Sequence, residues 1–147
     1  MITNVKLKKL NPAAIVPVYG TRESAGADLH LCHGADVTVA PGETVMVHTG
    51  IALHIPEGLV GLVFARSGLA AKRGIAPANK VGVIDSDYRG EIMVPLRNHG
   101  TEPVTLADGE RIAQLVFMPY IQGVFECVDD LSETDRGTGG FGSTGRV

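Results

Sequence analysis

The residues best suited to chemistry lie in five short runs. In GVIDSDYRGEI (82–92), two apolar residues feed Asp85, a turn-rich DSDYRG follows, and EIMVPL resumes an alternation. An aspartate at a buried strand end can orient and deprotonate a water, and Tyr88 beside it can wall off a sugar. The same run also reads as a β-hairpin with aspartates capping its turn, the commoner use of such pairs, and Asp87 is left with that use. In ARSGLA (65–70), Arg66, Ser67 and the Gly68 backbone can reach one phosphate oxygen, although an arginine before a turn is ordinary. AGADLH (25–30) sets Asp28 among small residues. There it can meet the water shell of a Mg²⁺ ion that phosphates coordinate, since Mg²⁺ keeps its waters and seldom needs a full protein cage. Gln114 interrupts the apolar run of GERIAQLVF (109–117), either as a strand facing two environments or as a donor to phosphate.

The fifth run is the tail, RGTGGFGSTGRV, which follows the charged stretch DDLSETD. Such a composition usually marks a disordered end that packs no core. Here it also carries Arg136, Phe141 and Arg146, with Gly142, Ser143 and Thr144 between them. Glycine backbones can turn N–H groups toward an anion, hydroxyls add donors, and arginine grips phosphate in bidentate fashion. A phenyl ring gives a base a face to stack on. The run is not a Walker A loop, because the Lys-Ser/Thr pair and the strand-then-helix setting are missing. A phosphate-gripping lid is the functional expectation. Other chemistries are weakly supported: no histidine pair has metal spacing, and Ser67 lacks a nucleophile elbow.

The elements that must position these runs are short and β-type. Val37 and Val39 alternate with Thr38, and Val45 and Val47 with Met46 and His48. Ile51, Leu53 and Ile55 follow Gly50; Ile92, Val94 and Leu96 come later, then Ile112 and LVFMPY. Turn signals at APGE (40–43), IPEG (55–58) and ADGE (107–110) separate them, and the chain holds 19 glycines and 8 prolines, so no long helical stripe survives. SGLAAKRG (67–74) predicts one or two helical turns closed by Gly74. The expected fold is all-β, a jelly-roll-like barrel or sandwich with at most one short helix. It forms a single domain over residues 1–135, with a flexible, Gly-rich arm at 136–147.

A formal net charge of −3 across 147 residues gives no field favouring nucleic acid or an anionic membrane, so neither is expected as a partner. No apolar stretch is long enough to span a bilayer, and MITNVKLKKL has no signal-peptide order. Cys32 and Cys127 lie far apart without metal-type spacing and read as two ordinary buried thiols. Reduced thiols point to the cytoplasm, or to the nucleus of a eukaryotic source.

AGADL, RSGLA, GVIDSDYRGE, GERIAQLVF and RGTGGFGSTG stand in the order of the five motifs of the trimeric dUTPases, and the chain resembles that family from residue 25 to residue 145. Asn79 matches as well. The resemblance implies a jelly-roll homotrimer with active sites shared between subunits, which hydrolyses dUTP to dUMP and pyrophosphate with Mg²⁺. It implies that Asp85 orients the water attacking the α-phosphorus. Asn79 and adjoining backbone, including Gly82, would pair with uracil, while Tyr88 would stack under deoxyribose and exclude a 2′-OH. Asp28 would meet Mg²⁺ through water, and Arg66, Ser67, Gly68 and Gln114 would hold phosphates. Arg136, Ser143 and Thr144 would take the γ-phosphate, and Phe141, with Gly142, would cover the base. Ala27 and Ala65 replace bulkier or proline residues frequent in the family, and Arg89 fills a variable position; none removes a reacting group. Rival readings are a dCTP deaminase of the same superfamily, a nucleotide-binding regulator, and a jelly roll without a site.

Overall fold

A computed structural model of the chain describes residues 3–140, so Phe141, Gly142, Ser143 and Thr144 lie outside the described residues. The described residues form eleven strands, and the alternating runs fall on four of them. The strands are β1 (Lys6–Lys9), β2 (Val18–Tyr19), β3 (Ala27–His30), β4 (Val37–Val39), β5 (Thr44–His54), β6 (Leu59–Phe64), β7 (Ile75–Pro77), β8 (Gly82–Ile84), β9 (Glu91–Asn98), β10 (Val104–Leu106) and β11 (Arg111–Pro119). One helix, α1 (Ser67–Arg73), follows β6.

The strands form a four-stranded sheet, β1-β5-β9-β7, a five-stranded sheet, β2-β3-β11-β6-β8, and a two-stranded ribbon, β10-β4. Every pairing is antiparallel. Period-2 alternation does its ordinary work: in β9, Ile92, Val94 and Leu96 are buried while Met93 and Arg97 face outward. Leu29, Ile51, Ile55, Leu96, Ile112 and Leu115 are among the fully buried side chains, and strands of both large sheets share this one core. Each such side chain contributes about 1.5–3 kcal/mol by leaving water. The result is the all-β jelly roll with one short helix that the sequence predicts.

The punctuation falls where expected. Gly42, Gly58 and Gly109 take positive φ in the three anticipated turns. Gly74, at φ 66°, ends α1, and its N–H donates to the Ala70 and Leu69 carbonyls.

Two expectations are corrected. The run DSDYRG is not a hairpin turn, because β8 pairs with β6 whereas β9 pairs with β5 and β7. The segment is instead a crossover from one sheet to the other. Gly50 lies inside β5, which runs through it as a bulged strand. The two thiols are both free but only Cys32 is buried; Cys127 is exposed. It sits beyond β11, where the chain leaves the core and residues 120–138 are exposed. Burial raises the Cys32 thiol above its ordinary value, helped by the Asp108 and Glu91 carboxylates, so it stays protonated.

Candidate active site

The expected residues assemble as two separate groups on one chain. The first lies across β3, β11 and β6, adjacent strands of the five-stranded sheet. Gln114 on β11 stands opposite Asp28 of β3 on one side and Phe64 of β6 on the other. Opposed residues share a face, so the Asp28 and Gln114 side chains emerge together. Two residues past Phe64, Arg66 caps the start of α1 in extended conformation. Its Nε donates to Asp28 Oδ1 at 2.8 Å, and its NH1 donates to the Arg111 carbonyl at 3.3 Å. Gln114 Nε2 donates to the Ala65 carbonyl at 2.9 Å, tying β11 to the approach to the helix.

Ser67 and Gly68 form the first turn of α1. Helical pairing begins with the Ala70 N–H on the Arg66 carbonyl, so the N–H groups before it have no partner within the helix. A Cβ built on Gly68 would meet nothing within 4 Å, which leaves that backbone open to approach. Gly26 is the opposite case. A Cβ there would collide with the Gln114 amide, so glycine is what allows that amide its position.

Two residues outside the expected set join the site. Arg111 donates from NH1 to Asp28 Oδ2 at 3.2 Å, so the Asp28 carboxylate is held between two guanidinium groups. The clue was its place three residues before Gln114 in GERIAQ. His30 lies two residues beyond Asp28, with Nδ1 buried and no hydrogen-bond partner. Burial lowers its pKa below the ordinary value; Asp28 pulls the other way, and Arg111 and Arg66 add to the lowering. A neutral imidazole beside two arginines follows.

The second group lines a cleft of about 320 Å³ between β8 and β9, where the two sheets diverge. Asn79, Gly82, Asp85 and Tyr88 line it, with Val63 and Val83 on one wall and Met46 and Met93 on the other. Asn79 follows β7 in a turn completed by Lys80 at φ 66°. A Cβ on Gly82 would lie 3.2 Å from Val63 Cβ and 3.4 Å from Asn79 Nδ2, so a side chain there would crowd this wall. The Tyr88 hydroxyl donates to the Glu91 carbonyl at 3.0 Å.

Asp85 does stand at a strand end, but it is exposed rather than buried. The crossover carries it around the outside of the molecule, and Tyr88 N–H closes the turn on its carbonyl at 3.2 Å. Asp28, Arg66, Ser67, Gly68 and Gln114 are absent from the cleft lining, so the single chain does not bring the two groups together. Arg136 stands apart from both, with Nε donating to the Gly139 carbonyl at 2.9 Å.

The chemistry of each group is distinct. The first offers arginine, amide and main-chain donors suited to phosphates. The second offers a planar slot with amide recognition, an aromatic wall and an exposed carboxylate.

Comparison with known proteins identifies the family. The family model for dUTPase matches residues 13–145. The deoxyuridine 5'-triphosphate nucleotidohydrolase of Desulfitobacterium hafniense is 50% identical over 149 residues, covering 98% of this chain and 99% of the relative. That of Hahella chejuensis is 48% identical over 146 residues, covering 99% and 96%. A Staphylococcus bacteriophage 80alpha dUTPase solved with dUPNHPP superimposes with a TM-score of 0.90 at 27% identity, over 99% of this chain and 100% of that one. With a family model spanning most of its length and relatives about half identical along it, the chain belongs to the dUTPase family.

Proposed function

We propose that the protein hydrolyses dUTP to dUMP and pyrophosphate, as a homotrimer whose active sites each combine the cleft of one subunit with the phosphate-binding group of another. The observation that carries the shared site is the separation of the two groups: each is well formed, and each is half of what a nucleoside triphosphate needs. The segment after β11 supports assembly. Ile121, Val124, Phe125 and Leu131 are 98, 97, 99 and 88 % exposed, apolar surface that a single chain leaves in water.

In this reading uracil enters the slot between β8 and β9 against Asn79 and the Gly82 backbone. Tyr88 lies under the deoxyribose. Asp85 accepts a proton from the water as its oxygen bonds to the α-phosphorus. The bond from that phosphorus to the bridging oxygen breaks, and pyrophosphate leaves. Positioning and charge neutralisation would supply most of the rate, with Arg66, Gln114 and the Ser67 and Gly68 N–H groups serving both. The arm, residues 136–147, would close over the nucleotide, with Arg136, Ser143 and Thr144 on the γ-phosphate and Phe141 and Gly142 over the base.

Mg²⁺ fits the phosphate-binding group as an ion held mainly by the nucleotide. Among the described residues no three acidic, His or Cys side chains form a metal cage. Asp28 nevertheless presents a carboxylate that keeps lone pairs beyond those the two arginines use, enough to accept bonds from metal-bound waters. When bound, the ion would neutralise phosphate charge. No helix among the described residues is long and apolar enough to cross a membrane. The two free thiols support a cytoplasmic location.

The deciding experiment is Asp85→Asn, assayed by pyrophosphate release from dUTP and by nucleotide binding. Binding is expected to persist while kcat falls by about 10²–10⁴-fold, the range for a lost general base. A kcat near that of the unaltered protein would remove Asp85 from the reaction.

A further inference from the structure

Glu91 occupies a junction that the reaction scheme does not use. Where β5 meets β9, His48 pairs with Met93 and Ala52 with Glu91, so residues 49–51 of β5 face the single residue Ile92. Such a bulge leaves main-chain groups outside the ladder. The Gly50 N–H is one of them, and it donates to Glu91 Oε1 at 2.8 Å. Gly50 itself adopts φ 68°, and a Cβ there would come within 2.9 Å of Ala14 Cβ, so the bulge has one geometry. The other carboxylate oxygen, Oε2, receives His48 Nδ1 at 2.8 Å. The buried Thr49 hydroxyl donates to the Ile92 carbonyl between them. Three contacts thus rivet the first residues of β9 to the bulge.

The same first residue holds the sugar wall. The Glu91 carbonyl accepts the Tyr88 hydroxyl, and Glu91 lines the cleft together with Tyr88 and Asp85. Otherwise Tyr88 is 43 % exposed, its ring lying over the backbone of Gly90, the residue just before Glu91. Its position is therefore inherited from Glu91, whose position is set by the bulge on β5.

We propose that Glu91 is a positioning residue for sugar selection: its carboxylate, clamped by Gly50 and His48, fixes the start of β9 and through it the Tyr88 ring. This rests on the reading that Tyr88 packs under the deoxyribose. Glu91 makes no contact with the reacting atoms. Its effect should appear in the choice between 2′-deoxy and 2′-hydroxy nucleotides more than in the rate on dUTP.

The test compares kcat/KM for dUTP and UTP in the full-length protein and in Glu91→Ala, Glu91→Gln, His48→Ala and Tyr88→Ala. A ring displaced by about 1 Å can cost up to about 10²-fold. Glu91→Ala is expected to lower the dUTP/UTP preference about tenfold, chiefly by improving UTP, while kcat on dUTP changes less than about threefold. Glu91→Gln keeps an oxygen for Gly50 and an amide for His48, and should restore the preference to within about twofold. His48→Ala, which leaves the Gly50 contact, should fall between. If Glu91→Ala gives no folded protein, Glu91→Asp replaces it with the same expectation, because the shorter side chain cannot hold both partners. Tyr88→Ala separates the two levels of the argument. If it leaves the preference unchanged, the reading of Tyr88 fails. If it lowers the preference while the Glu91 variants do not, the role of Glu91 is overturned. Equal losses on both nucleotides in Glu91→Ala would also overturn it, as the mark of a merely structural residue.

Discussion

Gly26→Ala separates positioning from stability at the phosphate-binding group. The added Cβ would lie 3.2 Å from Gln114 Cδ and 3.3 Å from Gln114 Cβ, and it would collide with the amide oxygen. The nearest obstacle is the end of a flexible side chain, so the amide can swing away, leaving only a shift of a few tenths of an ångström at Gln114 Cβ. Doing so breaks the Gln114 Nε2 bond to the Ala65 carbonyl, worth about 0.5–1.5 kcal/mol. Part of that is returned, because alanine restricts the unfolded chain by about 0.4–1 kcal/mol. The net destabilisation is therefore about 1 kcal/mol or less, a fall in Tm of about 2–4 °C for a chain of this size. The catalytic effect should be larger. Gln114 would leave its place beside Asp28, and a donor displaced by about 1 Å costs on the order of 10²-fold. The assay pairs pyrophosphate release from dUTP with thermal unfolding at one fixed protein concentration. A loss of kcat/KM below about threefold would refute the placement of Gln114 at the phosphates. Collapse of activity and Tm together would instead show that Gly26 matters for packing.

Two further outcomes are expected. Removing residues 136–147 should leave the melting temperature within about 2 °C, because the described part of this segment makes only local contacts, and should lower dUTP hydrolysis at least about 10²-fold; hydrolysis at the full rate would end the lid reading. Stability should also decline on acidification, in two steps. Burial lowers the folded His30 pKa below 6.5, so the unfolded chain takes up the proton first and the His30 contribution, complete above pH 6.5, is lost as pH falls. For Glu91, burial pushes the carboxyl up, but hydrogen bonds from His48, Gly50 and Thr49 and the His48 charge outweigh it; the folded value falls below 4.5, and its contribution is lost as pH drops beneath that. Melting curves from pH 8 to 4 check this, with His30→Gln expected to flatten the upper step; a Tm that rises between pH 7 and 5 would contradict the sign.

Alternation made the inner faces legible: Val37 and Val39, Ile92, Val94 and Leu96, and Ile112 and Leu115 bury as read, whereas Met118 and Tyr120 at the end of the LVFMPY run are exposed. Turn glycines and the α1 stop were legible because positive φ has a clear sequence mark. Strand partners were not. Period 2 says which side of a strand is apolar and nothing about which strand lies beside it, so VIDSDYRGE looked like a hairpin although its two strands belong to different sheets. The exposure of Asp85 follows from that crossover and was hidden for the same reason. Glu91 and Arg111 were missed because their partners, 41 and 83 residues away, are joined to them only by the fold.

The cleft between β8 and β9 has walls that belong to two different sheets, one carried by β6 and β8 and the other by β5 and β9. Its width is therefore a gauge of how the sheets sit on each other, and sliding at that seam opens or narrows the slot. In the proposed reading, a flat base filling it would act as a cross-brace, stiffening a joint that has no ladder hydrogen bonds of its own. Recognition and rigidity would then be one event, with a ring of the right thickness seating the sheets and a bulkier one wedging them apart.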